Sequence, residues 1–349
     1  LNRLGTIGLG TIDEKNEELH IMLVWVVSAT GCVYSQQVDL PTTGTGGGTV
    51  VSELCEALHS DDTALISVLL RRCHALLIEP LTPSIASTSN LFILPDGELH
   101  AVPFAALTNS NGAQLITTHA ICMASSISTL IELQARSGER KVDCDERIAL
   151  VVGAPDFTKW SFANGEKLAP LIGAKKESQA VRNALEESEP YADTTNHLVG
   201  TKATTKAVRD YICDAHLIHF ATHGRPDGVY FSADSQEGAL LRMGEIQWLD
   251  LRAALVVLSH CDSFLGELTS QTTGGYTSEG AVGMARAFIA AGALAVVASL
   301  WPVEDSATQK LMTEFYSNLL QGGSCAPDGN FTPGDVSRSM RAAMIAMLE

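Results

Sequence analysis

The sequence predicts an α/β fold in which a mostly parallel sheet is covered by helices. Short apolar runs rich in Val, Ile, Leu and Ala alternate along the chain with segments of helical periodicity, which is the pattern of repeated βα units. Most of these runs are continuous rather than alternating, as is typical of parallel strands buried on both faces. The predicted strands are residues 21–27, 91–94, 121–124, 148–153, 217–222, 254–259 and 294–301.

Helices are predicted between these strands and after the last one. The helix that starts at Ser278 has the clearest limits, because Ser278 can cap free N–H groups, Glu279 suits the first turn and Gly292 can end the helix. The polar stretch 138–146 separates a helix from a strand and divides the chain into predicted domains 1–140 and 141–349. The predicted helices are residues 51–58, 63–78, 126–137, 177–185, 204–213, 278–291, 306–320 and 335–348.

Composition limits the classes of function. The 349 residues are 46% hydrophobic and 18% charged, enough to bury a substantial core. A net charge of −17 disfavours nucleic acid and acidic membranes as partners, and the longest apolar run, 287–301, is too short to span a membrane. The eight cysteines lack paired spacing, so we expect reduced thiols and a cytoplasmic protein. The start at Leu1, without a basic leader, suggests a fragment of a longer protein.

Two predicted strands end in side chains with nucleophilic or basic chemistry. The run 215–224 ends with His223 followed by Gly224, and the run 253–261 ends with Cys261. Reactive groups of parallel sheets lie at the carboxyl ends of strands, where loops open to solvent. If these two strands are neighbours, His223 and Cys261 lie side by side.

Such a pair can perform nucleophilic catalysis. An imidazole beside a thiol raises the thiolate fraction and later protonates the leaving amine, and the backbone N–H groups of Gly224 and Cys261 could stabilise an oxyanion. Strand-terminal Cys and His are also common as packing residues or in capped turns, so the pattern alone leaves both interpretations open. A thiol oxidoreductase is disfavoured, because the sequence has no Cys-x-x-Cys pair.

Several ordered segments carry a resemblance to a known family. HFATHG (219–224), VVLSHCDSFLGE (256–267), EGAVGMARAFIAAGALAVVASLW (279–301) and WPVEDSATQKLMTEFYSNL (301–319) closely resemble the active half of CHAT peptidases, relatives of caspases and separase. LFILPDGELHAVPFAAL (91–107) and SSISTL (125–130) resemble the first half of the same family. The likeness is greatest to the CHAT domains that end animal tetratricopeptide-repeat proteins.

The resemblance implies a caspase-like fold, with a pseudo-caspase-like subdomain in residues 1–140 and an active subdomain in residues 141–349. It implies a cysteine endopeptidase with His223 as base and Cys261 as nucleophile, acting on a protein substrate without a cofactor. The upstream part of a longer protein, such as a repeat region, or an activating protein would be a further partner. The alternative from another class is a catalytically silent CHAT scaffold that binds protein partners.

Acidic residues suggest a preference for a basic residue before the scissile bond. Asp305 lies in a segment that resembles the separase-like sequence whose acid recognises that basic residue, and Glu304 and Asp262 are weaker candidates. Asp305 could equally cap the helix predicted from Ser306. The family commonly has a small residue where this chain has His260, for which we expect a hydrogen-bonding role behind Cys261.

Two further patterns bear on the site. His216, His219 and His223 would form a metal-binding face on a helix, but the segment is β-like, so we expect no metal site and a core or supporting role for His219. The stretch 262–277 is rich in Gly, Ser and Thr, which predicts a loop at the rim of the cleft.

Overall fold

A computed structural model describes residues 4–12, 19–28, 33–43, 48–58, 60, 62–139, 147–162, 164–165, 167–188, 191–225, 227–259, 279–300, 305–321 and 332–348. The described residues group into two compact units, one up to Glu132 and the other from Leu133 onward. The domain boundary predicted at residue 140 stays a prediction, because residues 140–146 lie outside the described ranges.

The first unit is built on a six-stranded mixed sheet. Its strands are β1 (Leu4–Ile12), β2 (Leu19–Ser28), β3 (Val33–Thr43), β4 (Gly48–Thr49), β5 (Asn90–Leu94) and β6 (Ala120–Met123), in the order β4-β3-β2-β1-β5-β6. Each strand from β1 to β4 pairs antiparallel with the next one along the chain, whereas β5 lies parallel to both β1 and β6. Parallel pairing is therefore confined to one side of this sheet.

The sequence prediction omitted β1 and β3. Strand β1 carries Gly5, Gly8 and Gly10, and glycine weakens a strand signal because it has no side chain to pack. Strand β3 is polar, but residues 34–38 alternate between partly or fully buried and exposed positions, which is the period of a half-buried strand. Both strands are held by long antiparallel pairings that short-range pattern does not reveal.

The helices of the first unit are α1 (Val50–Ala57), α2 (Thr63–Leu77), α3 (Thr82–Ile85) and α4 (Ile127–Glu139), the last of which crosses the division between the units. Helix α1 starts at a capping box in which Thr49 accepts from the Ser52 N–H and Ser52 accepts from the Thr49 N–H. Helix α2 buries Leu69, Cys73 and Leu77, one residue per turn, against the apolar core.

The second unit contains a five-stranded sheet in which every neighbouring pair is parallel. Its strands are β7 (Ala149–Pro155), β8 (Thr195–Gly200), β9 (Leu217–Ala221), β13 (Leu255–Leu258) and β14 (Ala295–Ala298), in the order β14-β13-β9-β7-β8. A small antiparallel sheet of β10 (Gly224–Arg225), β11 (Gly228–Tyr230) and β12 (Leu240–Arg242) follows β9 directly. This unit has the mostly parallel architecture that the sequence predicts.

Helices cover both faces of this sheet. They are α5 (Ile172–Glu186), α6 (Thr205–Tyr211), α7 (Gln236–Ala239), α8 (Met243–Ile246), α9 (Glu279–Ala290), α10 (Asp305–Gln321) and α11 (Pro333–Leu348). Alternate residues of β9 enter different cores: Ile218 and Phe220 pack with α6 and α9, whereas Leu217 packs with α5, α10 and α11. Burial on both faces explains the continuous apolar runs.

Two predicted helix limits compare differently with the structure. Helix α5 begins at Ile172, five residues before the predicted start at 177, and its N-cap residue Leu171 has no capping side chain, so the sequence carries no start signal there. Helix α9 ends at Ala290, and Gly292 adopts φ 122°, the left-handed region that glycine enters freely. The predicted terminating role of Gly292 is confirmed.

Candidate active site

His223 lies just beyond the carboxyl end of β9, where the chain turns into the small antiparallel sheet. The Thr222 hydroxyl donates to the Tyr230 carbonyl at 2.6 Å, and the Tyr230 N–H donates to the His223 carbonyl at 2.9 Å. Gly224 is buried and begins β10, opposite Val229. The backbone on both sides of His223 is thus held by β11.

The His223 ring is half-buried and has a defined polar partner. Its Nε2 lies 2.8 Å from the carbonyl oxygen of Ala169, in the segment that leads into α5. A carbonyl can only accept a hydrogen bond, so the proton of a neutral ring is on Nε2 and the lone pair is on Nδ1. His223 therefore presents Nδ1 as a proton acceptor.

An aromatic cluster of Phe157, Trp160, Phe162 and Tyr230 lies beside His223. The Phe157 and His223 ring centroids are 5.3 Å apart, and Trp160 stacks on Tyr230 at 5.8 Å. Phe157, Trp160 and Tyr230 are buried, so their packing shields one side of the imidazole from water. Phe157 is the member of the cluster that packs against the His223 ring.

Strand β13 lies next to β9, as the sequence reasoning required. The two strands are parallel, their last paired residues are Leu258 and Phe220, and the Ser259 N–H donates to the Phe220 carbonyl at 2.9 Å. The other predicted site residues are not described: Cys261, Asp262, His260 and the predicted loop 262–277 lie outside the described residues, as does Glu304. Asp305 is the first residue of α10.

A second group of polar side chains lies between the sheet and helices α5 and α10, around His219 of β9. The Nε2 atom of His219 lies 3.1 Å from the Glu177 carboxylate, and its Nδ1 lies 3.1 Å from the Tyr316 hydroxyl. Burial, and next the Glu177 carboxylate, raise the pKa of Tyr316, so its phenol stays protonated and donates to Nδ1. His219 is a core residue with polar partners, in agreement with its predicted role.

Sequence reasoning missed Glu177 and Tyr316 as members of that group. Both residues lie on helices that are distant from β9 in the sequence. The sequence offered one signal, the presence of the charged residue Glu177 on the face of α5 that also buries Val181 and Leu185. A glutamate in an otherwise apolar helix face indicates a buried partner.

The three histidines of the 216–223 segment have separate partners. His216 Nδ1 accepts from the Ile148 N–H at 3.2 Å, while His219 and His223 make the contacts given above. Within the described ranges, His, Cys, Asp and Glu side chains form no group of three or more that could hold a metal ion. The helices in those same ranges include none with the length and apolarity needed to cross a membrane.

Comparison with known proteins identifies related sequences. Residues 68–349 match the CHAT domain family. Tetratricopeptide repeat protein 28 from Homo sapiens is 25% identical over 309 aligned residues, and the Mus musculus protein of that name is 26% identical over 309. Each alignment covers 72% of this chain and 12% of the relative, so the chain spans a small part of the curated relatives it matches.

Proposed function

The chain belongs to the CHAT domain family, and from this premise we propose that it is a cysteine endopeptidase in which Cys261 is the nucleophile and His223 transfers the protons. The five-stranded parallel sheet flanked by helices agrees with the caspase-like fold of the family. Relatives of known fold can differ in activity, so the proposal depends on the site itself.

The contact between His223 Nε2 and the Ala169 carbonyl is the observation that carries the proposal. It leaves Nδ1 as the acceptor that a catalytic thiol requires. The strand register adds support, because His223 follows Phe220 by the same number of residues as Cys261 follows Leu258, and Phe220 and Leu258 are paired neighbours. Parallel neighbours end at the same edge of a sheet.

The proposed reaction has two stages. Cys261 loses its thiol proton to His223 Nδ1 and attacks the peptide carbonyl, forming a C–S bond, while the N–H groups of Gly224 and Cys261 stabilise the oxyanion. The C–N bond breaks as His223 protonates the leaving amine. Water then attacks the thioester with His223 as base, the C–S bond breaks, and the thiolate and the second product are released. No cofactor takes part.

We further propose that the substrate carries Arg or Lys before the scissile bond. Asp305 is the main acid in this proposal, with Glu304 and Asp262 as weaker candidates. A carboxylate in a partly desolvated pocket attracts a cation more strongly than an exposed pair does. Helix α10 begins at Asp305 itself and not at Ser306, so Asp305 lies one position inside the predicted N-cap, where a carboxylate still interacts favourably with the helix dipole.

Labelling with a peptidyl acyloxymethyl ketone that ends in Arg tests the dyad. We expect peptide-resolved mass spectrometry to find the label on Cys261 of the wild type, and to find none there in Cys261→Ala or His223→Ala. Both variants should also lose cleavage of Arg-containing peptides, because nucleophile and base act as a unit.

The other thiols serve as internal controls for that experiment. Burial raises the pKa of Cys55, Cys73 and Cys122 to about 12, so these thiols should stay unlabelled. Cys213→Ala is the matched variant, since Cys213 is a partly exposed free thiol in the same unit. Label that persists in His223→Ala but disappears in Cys213→Ala would contradict the assignment.

The second candidate function is a CHAT scaffold that binds protein partners without hydrolysis. The names of both relatives refer to tetratricopeptide repeats, and helical repeats form extended binding surfaces. A region upstream of this chain, or an activating protein, is then the partner, and cysteines that form no disulfide within the described residues suit a cytoplasmic location. Absence of any Cys261 labelling in the wild type would favour this candidate.

A further inference from the structure

The Glu177–His219–Tyr316 group is unusual for its depth. The His219 side chain is fully buried and the Glu177 side chain is 4% exposed, and both lie among the apolar residues of the core that α5, α10 and α11 form with the sheet. The His219 and Tyr316 rings meet edge to face, with centroids 5.6 Å apart. We call these three residues the buried triad.

Stability alone does not explain the buried triad. Taking a carboxylate out of water costs several kcal/mol, and well-packed apolar residues of similar volume are commonly at least as stabilising as a buried ion pair. The triad instead joins three separate elements, α5, β9 and α10, through two polar contacts of 3.1 Å. Buried ionisable groups of this kind concentrate near functional sites.

Two members of the triad, Glu177 and His219, lie on the two elements next to His223 and its partner Ala169. Glu177 on α5 contacts His219 on β9, and Ala169, in the segment just before α5, accepts from His223, just after β9. Because a helix and a strand are each stiff, a displacement of α5 along β9 would separate both contacts together. The Glu177–His219 contact is therefore placed to set the distance between the Ala169 carbonyl and His223 Nε2.

The hydrogen-bond roles within the triad are defined by its surroundings. The protonated Tyr316 hydroxyl donates to Nδ1 of His219, so a neutral ring carries its proton on Nε2, the atom that lies 3.1 Å from the Glu177 carboxylate. The other titratable groups near the triad are His197, whose pKa is lowered first by burial, and Tyr191. One tautomer and one ring orientation of His219 follow.

We propose that Glu177, His219 and Tyr316 are positioning residues that hold α5 and β9 in the register at which the Ala169 carbonyl orients His223 for proton transfer. This inference rests on the proposed function of His223 and Cys261. It assigns to the triad no contact with substrate.

The test measures how fast iodoacetamide alkylates Cys261 at a series of pH values, together with kcat and KM on an Arg-containing peptide. The wild type should show a pH midpoint well below the ordinary thiol value of about 8.5, because His223 stabilises the thiolate. Glu177→Ala should raise that midpoint by about one pH unit and lower kcat by about tenfold or more, with KM nearly unchanged. Glu177→Gln should restore most of kcat, since the amide keeps the size of the side chain and a polar oxygen at the same approach to His219 Nε2.

Val181→Ala is the matched control, because Val181 is buried on α5 one turn from Glu177 and has no polar role. It should lower the Tm without moving the midpoint. If Glu177→Ala does not fold, Tyr316→Phe removes only one hydroxyl, and it should raise the midpoint in the same direction by a smaller amount.

The outcomes separate the two levels of the proposal. A wild-type midpoint at the ordinary thiol value overturns the proposed function and this inference with it. A low wild-type midpoint that is equally low in Glu177→Ala and Tyr316→Phe, or one that Val181→Ala shifts as far, overturns only the positioning role.

Discussion

Gly153 on β7 lies directly against α5, and Gly153→Ala should destabilise the second unit. A Cβ at residue 153 would lie closer than 3.0 Å to both the Oγ and the Cβ of Ser178, and 3.1 Å from the Ala174 carbonyl oxygen. Ordinary van der Waals contact begins at 3.4 Å. Two of these three atoms, the Ser178 Cβ and the Ala174 carbonyl oxygen, are held by the helix backbone. Rotation of a side chain therefore cannot relieve the clash, and α5 itself must move.

Overpacking of this kind costs about 1–3 kcal/mol, offset by up to about 1 kcal/mol from the reduced entropy of the unfolded chain. We therefore expect the free energy of unfolding to fall by about 1–2 kcal/mol, measured by urea denaturation followed by circular dichroism with the m value unchanged. Ser178→Gly removes two of these obstacles. In a double-mutant cycle, Gly153→Ala and Ser178→Gly should therefore show a favourable coupling energy of about 1 kcal/mol.

Gly244→Ala is the matched control for that measurement. Gly244 lies in α8 of the same unit, and a Cβ there would meet nothing within 4 Å, so the substitution should be neutral or slightly stabilising. Equal stability of Gly153→Ala and the wild type, or no coupling with Ser178→Gly, would refute the claim that α5 is held at this distance by the missing side chain.

Three further predictions concern other parts of the chain. The pKa values of Cys55, Cys73 and Cys122 are raised from 9.0 to about 12 in the folded protein, so the unfolded chain loses its thiol protons at a lower pH. The urea concentration at the unfolding midpoint should therefore fall as the pH rises from 9 toward 12, and it should fall less steeply in Cys73→Ala. In a peptide library, a preference for Arg or Lys should weaken in Asp305→Ala, and an Asp or apolar preference that the substitution leaves unchanged would end the basic-pocket proposal. Between Ala253 and Ala285 the chain has no Lys or Arg, so an enzyme that cleaves after basic residues should not cut itself there during prolonged incubation. Intact mass spectrometry would contradict this if it showed fragments that end within 262–277 and that are absent from Cys261→Ala.

The sequence determined the parallel core of this protein and the position of its candidate base. Residues 148–153, 217–222 and 254–259 are continuous apolar runs, and β7, β9 and β13 form there because both faces of the sheet are covered. His223 and Gly224 could be singled out because they follow such a run directly. These are local signals, readable within about ten residues.

The tertiary structure alone decided what depends on distant pairing. Strands β1 and β3 exist because of antiparallel partners along their length, despite glycine and polar residues that weaken their local signal. The Ala169 carbonyl that orients His223, and the Glu177 and Tyr316 side chains around His219, come from segments separated from β9 by tens of residues. Their chemistry arises only when helices pack on the sheet, since hydrogen bonds depend on distances that neither composition nor periodicity encodes.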